Sequence, residues 1–456
     1  MARKRKSIHG EWSSRWAFIL AATGSAVGLG NIWRFPYLTG ENGGGAFVLI
    51  YLFCVAVIGI PVMIAEIMLG RRGRMSPINT MRALAQDEGL SRYWQVIGWL
   101  GMLAGFLILS FYSVVAGWTL AYVFRSGAGI FSGMTAENVS TVFSDLVSDP
   151  ERLLAWHTIF MAMTTMVVAR GVKSGLEKAV RWLMPALFLL LLVLVGYAMG
   201  TGSFQEAVRY LFKPDFSSLS AGGVMSAMGQ AFFSLSLGMG AIMIYGSYLS
   251  HTESIPRMAI IVALADTLVA ILAGLAIFPI VFAYGLQPQE GSGLIFKTLP
   301  LAFGHMPGGA FFGCLFFLLL MVAAWTSAIS LLEPVVAWLV ENRGMTRVYA
   351  SILACGVVWI LGLGALFSLN IWSDATLFGK TFFGLLEYVT ANIMLPVGGF
   401  LIALFAGWRL SRAASVNELG LGQGFAYQTW RILVRYITPV GLILVFLHVL
   451  GVLDPT

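Results

Sequence analysis

The sequence predicts an all-α protein that crosses a membrane many times, and three observations lead to this prediction. Of the 456 residues, 58% are hydrophobic and only 11% are charged, and the mean hydropathy is +0.84. Eleven segments are apolar over the roughly 20 residues that a helix needs to cross a bilayer. Two of these segments are interrupted by glycines and small hydroxyl residues. Such interruptions are typical of helices that break inside the membrane.

The predicted spans follow one another through short connections, without a soluble domain between them. Their bounds in chain order are 15–40, 45–69, 94–125, 153–169, 178–200, 223–249, 257–284, 308–340, 347–368, 382–408 and 431–451. The most hydrophilic connections cover 126–152 and 410–430. We therefore predict a single transmembrane domain over 1–456. Because the number of spans is odd, the two ends of the chain are expected on opposite sides of the bilayer.

Basic residues are concentrated in alternate connections of the chain. Cytoplasmic loops of membrane proteins carry an excess of Lys and Arg, so we expect the N-terminus in the cytoplasm and the C-terminus outside it, in a plasma membrane such as the bacterial inner membrane. This distribution explains the net charge of +7 without a nucleic-acid partner. The basic residues on the predicted cytoplasmic side are Arg3, Lys4, Arg5, Lys6, Arg71, Arg72, Arg74, Arg82, Arg92, Arg170, Lys173, Lys178, Arg181, Arg343, Arg347, Arg409, Arg412 and Arg431.

The arrangement of cysteines and histidines does not indicate catalysis. Cys54, Cys314 and Cys355 lie in apolar segments without the spacing of metal ligands, and we interpret them as packing residues. The five histidines are scattered along the chain. We therefore predict that the protein is not an enzyme.

The two interrupted spans contain similar glycine-rich sequences, at 22–31 in the first span and at 233–241 in the sixth. Each glycine weakens a helix by roughly 1 kcal/mol relative to alanine. Unwound backbone is tolerated at membrane depth only where it lines a cavity and finds polar partners. The paired breaks therefore predict a ligand site near the middle of the membrane.

Five ionisable residues lie inside the predicted spans, where a charge costs at least about 3 kcal/mol. Asp266 belongs to an otherwise apolar helix, which favours a functional role over a structural one. Glu66 and Glu333 lie nearer the cytoplasmic ends, and the sequence leaves open whether they have a function or only pack. Arg34 and Glu387 have opposite charges at similar predicted depth, which is compatible with a gating ion pair or a static one.

Several long motifs closely resemble those of the neurotransmitter:sodium symporter family. They are Gly24-Ser-Ala-Val-Gly-Leu-Gly-Asn-Ile-Trp-Arg-Phe-Pro-Tyr37, Glu41-Asn-Gly-Gly-Gly-Ala-Phe47, Gly229-Gln-Ala-Phe-Phe-Ser-Leu-Ser-Leu-Gly238, Trp325-Thr-Ser327, and Tyr112 with Trp118. The resemblance covers essentially the whole membrane domain. It implies the LeuT-type fold, with inverted repeats over 15–200 and 223–408, an eleventh span over 431–451, and the first and sixth spans unwound at mid-membrane.

The resemblance also implies two sodium sites, with the ions transported together with the substrate. The first site would use the Ala26 carbonyl, the Asn31 side chain, Ser234 and Asp266, together with the substrate carboxylate. The second would use the carbonyls of Gly24, Val27 and Ala323 and the hydroxyls of Thr326 and Ser327. From the residues alone, Thr326 and Ser327 equally fit ordinary hydrogen bonding within the membrane.

The substrate pocket implied by the resemblance has mostly apolar walls, which suits a neutral hydrophobic amino acid, aliphatic or aromatic. Its residues are Ser25, Ala26, Gly28, Gly30, Ile108, Tyr112, Phe233, Ser234, Ser236, Met239, Ser327 and Leu331. Met239 lies between two glycines, and its flexible thioether leads us to expect broad selectivity.

Two positions at which this chain differs from many members of the family bear on whether transport requires chloride. Relatives that require chloride carry a serine where this chain has Ala270, and many have asparagine where it has Asp266. We expect the Asp266 carboxylate to offset the sodium charge, so that transport does not need chloride. Exchange of a proton for the cation at Asp266 is left open.

Gates and a hinge are implied in the same way. Tyr112 and Phe233 would close over the substrate, beneath an outer pair of Arg34 and Glu387. Three residues of the family's inner gate are matched, and they are Trp12, Tyr248 and Glu341. The family's N-terminal arginine is replaced by His9, and we expect Arg5 or Lys6 as possible substitutes for it.

The fifth span contains a spacing that some relatives use to unwind this helix when sodium is released. Its residues are Gly175 and Pro185, which would open a water path to the second sodium site; the alternative is a simple proline kink. Together these motifs predict a sodium-coupled amino-acid symporter in the lipid bilayer. The alternative is a non-transporting amino-acid sensor of the same fold, and the sequence does not indicate the oligomeric state.

Overall fold

The computed structural model describes residue 5 and residues 7–286 and 293–449. Within these residues the structure consists of helices and loops, without a β-strand. The helices, numbered in chain order, are α1 Arg15–Ala26, α2 Gly30–Glu41, α3 Gly45–Gly73, α4 Pro77–Asp87, α5 Arg92–Gly127, α6 Ala136–Ser148, α7 Pro150–Ala169, α8 Val172–Met199, α9 Phe204–Phe212, α10 Ala221–Ser234, α11 Ala241–Ser247, α12 Ile255–Ala283, α13 294–305, α14 Gly309–Arg343, α15 Arg347–Phe367, α16 Phe382–Arg409, α17 Arg412–Leu419 and α18 Phe425–His448.

The long apolar helices correspond to the predicted spans. In the described part of the chain, nine helices are long and apolar enough to cross a membrane, and α1 with α2 forms a tenth that is bent by 51°. The segment predicted as the sixth span is divided into α10 and α11, with residues 235–240 between them. The end of the predicted eleventh span, at 450–451, and the basic residues Arg3, Lys4 and Lys6 lie outside the described residues.

Side chains that accept hydrogen bonds from free backbone amides determine where several helices begin. The Ser14 hydroxyl accepts from the amide of Ala17 (3.2 Å) before α1. Ser220 accepts from the amide of Gly223 (3.0 Å) before α10. At α8 the helix begins earlier than the predicted residue 178, because Val172–Glu177 forms a wider π-helical turn.

Five short helices, α4, α6, α9, α13 and α17, were not predicted, because none is long enough to cross a bilayer. In α6, for example, Val139 and Leu146 are buried while most of the other side chains face outwards. These helices cover the ends of the long ones.

The centre of the molecule is formed by α5 and α14, which pack along each other and are largely buried. Helix α8 lies at the periphery, where Trp182, Leu189 and Leu192 are exposed. Apolar side chains on such an outer face suit a lipid environment.

Helices α3 and α11 approach each other so closely that glycines are required at the crossing. A Cβ atom on Gly70 would lie 1.9 Å from the carbonyl oxygen of Met243, and one on Gly246 would lie 2.8 Å from that of Ile67. Backbone atoms cannot rotate away as side chains can, so neither position has room for alanine.

We expect Gly70→Ala to destabilise the protein by about 3 kcal/mol or more, because the added methyl group overlaps the backbone of α11. Gly356→Ala in α15 is a matched control, since a Cβ there meets no atom within 4 Å. It should be neutral or stabilising by up to about 1 kcal/mol. Thermal unfolding of the purified variants in detergent measures both effects, and equal midpoints would contradict the steric argument.

Candidate functional site

The two helix breaks face each other in the interior of the protein. The hydroxyl of Ser236, in the second break, donates to the carbonyl of Ser25 at the end of α1 (2.9 Å). The side-chain amide of Gln230 in α10 donates to the carbonyl of Gly30 (2.7 Å). Polar groups released by one break are therefore satisfied by residues at the other, as a dry interior requires.

A buried carboxylate joins residues from both interrupted spans. Asp266 of α12 is fully buried, and its Oδ1 accepts a hydrogen bond from Asn31 Nδ2 (2.8 Å) while its Oδ2 accepts one from the Ser234 hydroxyl (2.9 Å). The Oδ1 of Asn31 in turn accepts from the amide of Gly28 (3.2 Å). Three side chains predicted for the first sodium site thus come together beside the end of α1 at Ala26.

The residues predicted for the second sodium site also lie together. The Ser327 hydroxyl of α14 is 3.1 Å from the carbonyl oxygen of Val27 and 3.5 Å from that of Gly24. The Thr326 hydroxyl donates to the carbonyl of Ala323 (3.0 Å). Oxygen atoms of this kind are the ligands that small hard cations prefer.

A small cavity of about 20 Å³ adjoins both sets of residues. Its lining consists of Ala26, Gly28, Leu29, Gly30, Ile108, Tyr112, Phe233, Ser236, Met239, Ser327 and Leu331. The structure thus brings the predicted pocket together, apart from Ser25 and Ser234. The Ser25 side chain is directed to the Ser330 hydroxyl (2.8 Å), and that of Ser234 to Asp266. Leu29 was missed, although its place between Gly28 and Gly30 was a signal for it.

A second, larger cavity lies on the predicted outer side of the first. Tyr112 and Phe233 line both cavities and lie between them. Arg34 and Glu387 line the larger cavity, and no salt bridge within the described residues joins them. The Arg34 guanidinium instead lies 4.8 Å from the centre of the Phe233 ring. Lys297 also lines this cavity and was not predicted, because it lies in a short helix outside the apolar spans.

The predicted inner side is closed by a packed polar network. His9 Nε2 lies 3.0 Å from Glu341 Oε1, and both side chains are almost fully buried. The same carboxylate accepts from the amide of Ser76 (2.7 Å) and from Asn79 Nδ2 (2.7 Å). The expectation that Arg5 substitutes for the gate arginine was wrong, since Arg5 pairs with Asp87 (2.9 Å). His9 itself contacts Glu341, and Lys6 lies outside the described residues.

Aromatic residues complete the inner network. Trp12 is buried, and its indole donates to the carbonyl of Tyr245 (3.0 Å). The Tyr248 hydroxyl donates to Glu333 Oε1 (2.7 Å), and Glu333 is also paired with Arg347. Glu333 is therefore part of the polar network on this side, with Tyr248 as hydrogen-bond donor and Arg347 as ionic partner.

Glu66 stabilises the second break directly. Its side chain is fully buried, and its Oε1 accepts a hydrogen bond from the amide of Gly238 (2.6 Å). Gly238 and Gly240 have φ values of +77° and +74°, which glycine adopts without strain. Glu66 thus compensates for a backbone amide that has no helical partner.

The predicted hinge residues lie in α8, the helix that packs against the residues predicted for the second sodium site. Gly175 belongs to the π-helical turn of α8, and Pro185 lies inside the same helix. The sulfur of Met184 would lie 3.0 Å from a Cβ atom on Gly24, so α8 packs directly on the first break. In the same turn, Glu177 accepts hydrogen bonds from the amide (3.1 Å) and hydroxyl of Ser13, which were not predicted.

Taken together, the spanning helices and the paired breaks around a buried cavity define a multi-pass membrane transporter. The chain belongs to the Sodium:neurotransmitter symporter family, whose profile matches residues 9–138 and 134–456. The expected family and LeuT-type fold are thereby confirmed, and the protein is a sodium-dependent transporter of this family. These proteins are transporters and not enzymes.

Relatives of known sequence and structure agree with this assignment. An uncharacterized sodium-dependent transporter of Bacillus subtilis is 39% identical over 448 residues, covering 97% of this chain and 98% of the relative. The sodium-dependent serotonin transporter of Drosophila melanogaster is 25% identical over 490 residues, covering 96% of this chain and 75% of that protein. The crystal structure of MhsT in complex with L-phenylalanine matches with a TM-score of 0.89 and 42% identity, over 96% of this chain and 99% of MhsT.

We expect Glu66→Ala to destabilise the protein by about 2 kcal/mol, because it leaves the buried amide of Gly238 without an acceptor. Glu66→Gln is the matched control, since it keeps an oxygen acceptor in the same place. Its loss of stability should be clearly smaller than that of Glu66→Ala. Thermal unfolding in detergent distinguishes the two variants. If glutamine were as damaging as alanine, the charge and not the hydrogen bond would be the important property.

Proposed function

We propose that the protein is a sodium-coupled symporter of neutral hydrophobic L-amino acids, aliphatic or aromatic, that works by alternating access. The observation that carries this proposal is the contact of Asp266 with both interrupted spans, beside a small and mostly apolar cavity. The bound L-phenylalanine in the related MhsT structure supports the substrate class. The family supports the coupling to sodium.

Two sodium ions are proposed to travel with the substrate. The first would be held by Asp266, Asn31, Ser234, the Ala26 carbonyl and the substrate carboxylate. Hydrogen bonds to Asp266 hold the Asn31 and Ser234 side chains beside it. An ion shared with the substrate raises the affinity for substrate, and the substrate raises the affinity for the ion to the same extent.

The second ion would be bound by the hydroxyls of Thr326 and Ser327 and the carbonyls of Gly24, Val27 and Ala323. Ser327 also lines the cavity, so the two ions and the substrate would be neighbours. We propose release of this ion to the cytoplasm by opening of α8 between Gly175 and Pro185, because this helix covers Gly24.

Chloride is not expected to take part. The Asp266 carboxylate is buried without a salt bridge in the described chain. A sodium ion at the first site would provide the opposite charge that a buried carboxylate needs. A mobile anion is then unnecessary, and the apolar Ala270 offers no hydroxyl for one.

The cavity accounts for the proposed selectivity. Its lining contains no charged side chain, so a charged substrate side chain would be buried without a partner. Met239 lies between Gly238 and Gly240, in backbone that is held by hydrogen bonds and not by helical structure. A flexible thioether in this position permits substrates of different size.

The difference between the open and the closed side of the site supports transport by alternating access. On one side Arg34 and Glu387 are separated, and on the other the network of His9, Glu341 and Trp12 is closed. We propose that these are the outer and inner gates, with the N-terminus in the cytoplasm and the C-terminus outside. Residues 15–200 and 223–408 would move as inverted repeats, with 431–451 as an added span.

Uptake into proteoliposomes tests the proposed function directly. We expect an inward sodium gradient to drive uptake of phenylalanine and leucine but not of glutamate or lysine. Replacing chloride by gluconate should leave the rate unchanged. Binding without uptake would identify a sensor of the same fold, and absence of both binding and uptake would contradict the proposal.

The second ion site is tested by Thr326→Val, which removes a hydroxyl but keeps the shape of the side chain. Loss of one hydroxyl ligand costs about 1.5 kcal/mol, so the sodium concentration for half-maximal uptake should rise by about tenfold. Thr438→Val is the matched control, because Thr438 is also buried but lies in α18 without a hydrogen-bond partner for its hydroxyl. An equal change in both variants would exclude Thr326 as a ligand.

A further inference from the structure

The connection between α15 and α16 forms a tight hairpin, which we call the 368–381 hairpin. Leu377 and Lys380 exchange both backbone hydrogen bonds, at 2.9 and 3.1 Å. The two residues between them, Phe378 and Gly379, have φ values of +53° and +72°. A two-residue turn with both φ values positive is of type I′, in which asparagine, aspartate and glycine are the favoured residues.

Phe378 is therefore an unfavourable residue for its position. A bulky side chain at positive φ is a conformational outlier, and this one is also 88% exposed. Neither the positive φ of Phe378 nor the exposure of its ring to solvent would stabilise the folded protein in water. Strained residues of this kind cluster at sites that have a function.

Further apolar side chains lie close to Phe378 on the same hairpin. Ile371, Trp372 and Leu377 are 64%, 48% and 58% exposed. The hairpin is nevertheless held in place, since Trp372 packs against Phe367 (5.2 Å between ring centres) and the chain is anchored to the end of α6. The result is a fixed and exposed apolar tip, which soluble surfaces rarely carry.

The hairpin lies at the end of a membrane-spanning helix, and this position indicates that lipid covers its apolar tip. Helix α15 has 21 residues and is therefore about 32 Å long, close to the roughly 30 Å thickness of the hydrocarbon layer. Its Ile352, Val357 and Ile360 side chains are exposed, as expected of a face in contact with lipid. The hairpin follows directly after Phe367, so its apolar tip continues this face at the boundary of the bilayer.

The hairpin has the composition of an interfacial anchor and not of a substrate path. None of its four exposed apolar residues lines the large cavity that contains Arg34 and Glu387. Aromatic residues are enriched where helices leave the hydrocarbon layer. Lys380 is exposed beside the tip, with its ammonium group 4.8 Å from the centre of the Tyr388 ring. An exposed ammonium group in this position complements lipid phosphates.

We propose that the 368–381 hairpin inserts Leu377 and Phe378 into the phospholipid layer at the membrane boundary, with Phe378 as the anchor. The partner is the phospholipid of the same bilayer, at the level between head groups and acyl chains. Because α16 begins at Phe382, this anchor restrains the start of the helix that carries Glu387.

Fluorescence quenching tests the insertion. The three native cysteines are replaced by alanine, a single cysteine is introduced at Leu377 and labelled with an environment-sensitive fluorophore, and the full chain is reconstituted into vesicles of phosphatidylcholine and phosphatidylglycerol. We expect spin labels near the top of the acyl chains to quench about half of the emission, and aqueous iodide to quench little. A label at the exposed Asn138 of α6 is the control and should show the opposite pattern.

The same reporter in the Phe378→Asn background tests the anchor itself. Asparagine is favoured in a type I′ turn, so the hairpin should keep its fold while quenching by lipid falls by about half or more. Quenching of the Leu377 label by iodide in the native background would overturn the insertion. Equal quenching by lipid with phenylalanine and asparagine would overturn the role of Phe378.

Discussion

The structure depends on one constraint. Backbone groups that lose their helical partners, and carboxylates that are buried in an apolar interior, must form hydrogen bonds with other protein groups. Two helices end near the middle of the molecule, at Ala26 and Ser234, and each break exposes polar atoms where water is scarce. The carboxylates of Asp266 and Glu66 and the amide of Gln230 satisfy these atoms. Of these three side chains, Asp266 is also one of the residues proposed above to bind a sodium ion.

This constraint also explains the difference between the two ends of the molecule. On the predicted inner side, the N-terminal segment is joined to α4 by the ion pair of Arg5 and Asp87. It is joined to α11 by the Trp12 indole and to α14 by the contact of His9 with Glu341. On the outer side, Arg34 and Glu387 border an open cavity, where water can solvate both charges. Separating two opposite charges is costly only when they are buried, so the separation of Arg34 and Glu387 beside an open cavity carries no large penalty.

Much of the fold could be predicted from the sequence, because apolar length is a strong signal. In the described part of the chain, nine long apolar helices, or ten with the bent pair of α1 and α2, lie where spans were predicted. Their bounds moved where a π-helical turn or a cap extended a helix, as at Val172 and Ser220. The pocket was predicted through its motifs. Lys297 was missed, because a lysine in a short helix carries no distinctive pattern. Leu29 was missed although it lies between two predicted pocket residues, Gly28 and Gly30.

Contacts between distant elements were the least predictable part. The choice between His9, Arg5 and Lys6 as partner of Glu341 depends on the path of the N-terminal segment, which residue type alone does not determine. Arg5 forms an ion pair with Asp87, and His9 is the residue that contacts Glu341. The role of Glu177 as acceptor for Ser13 likewise depends on the π-helical turn of α8.

The two breaks are finally connected by a strained residue. Ser236 has a φ of +53°, which is unusual for a residue with a side chain. Its hydroxyl is held by the carbonyl of Ser25, at the end of the first half-helix. A movement of α1 that withdrew this carbonyl would remove the acceptor that compensates for the strain. The second break would then relax along with the first, so the two walls of the small cavity are physically coupled through the hydrogen bond from Ser236 to Ser25.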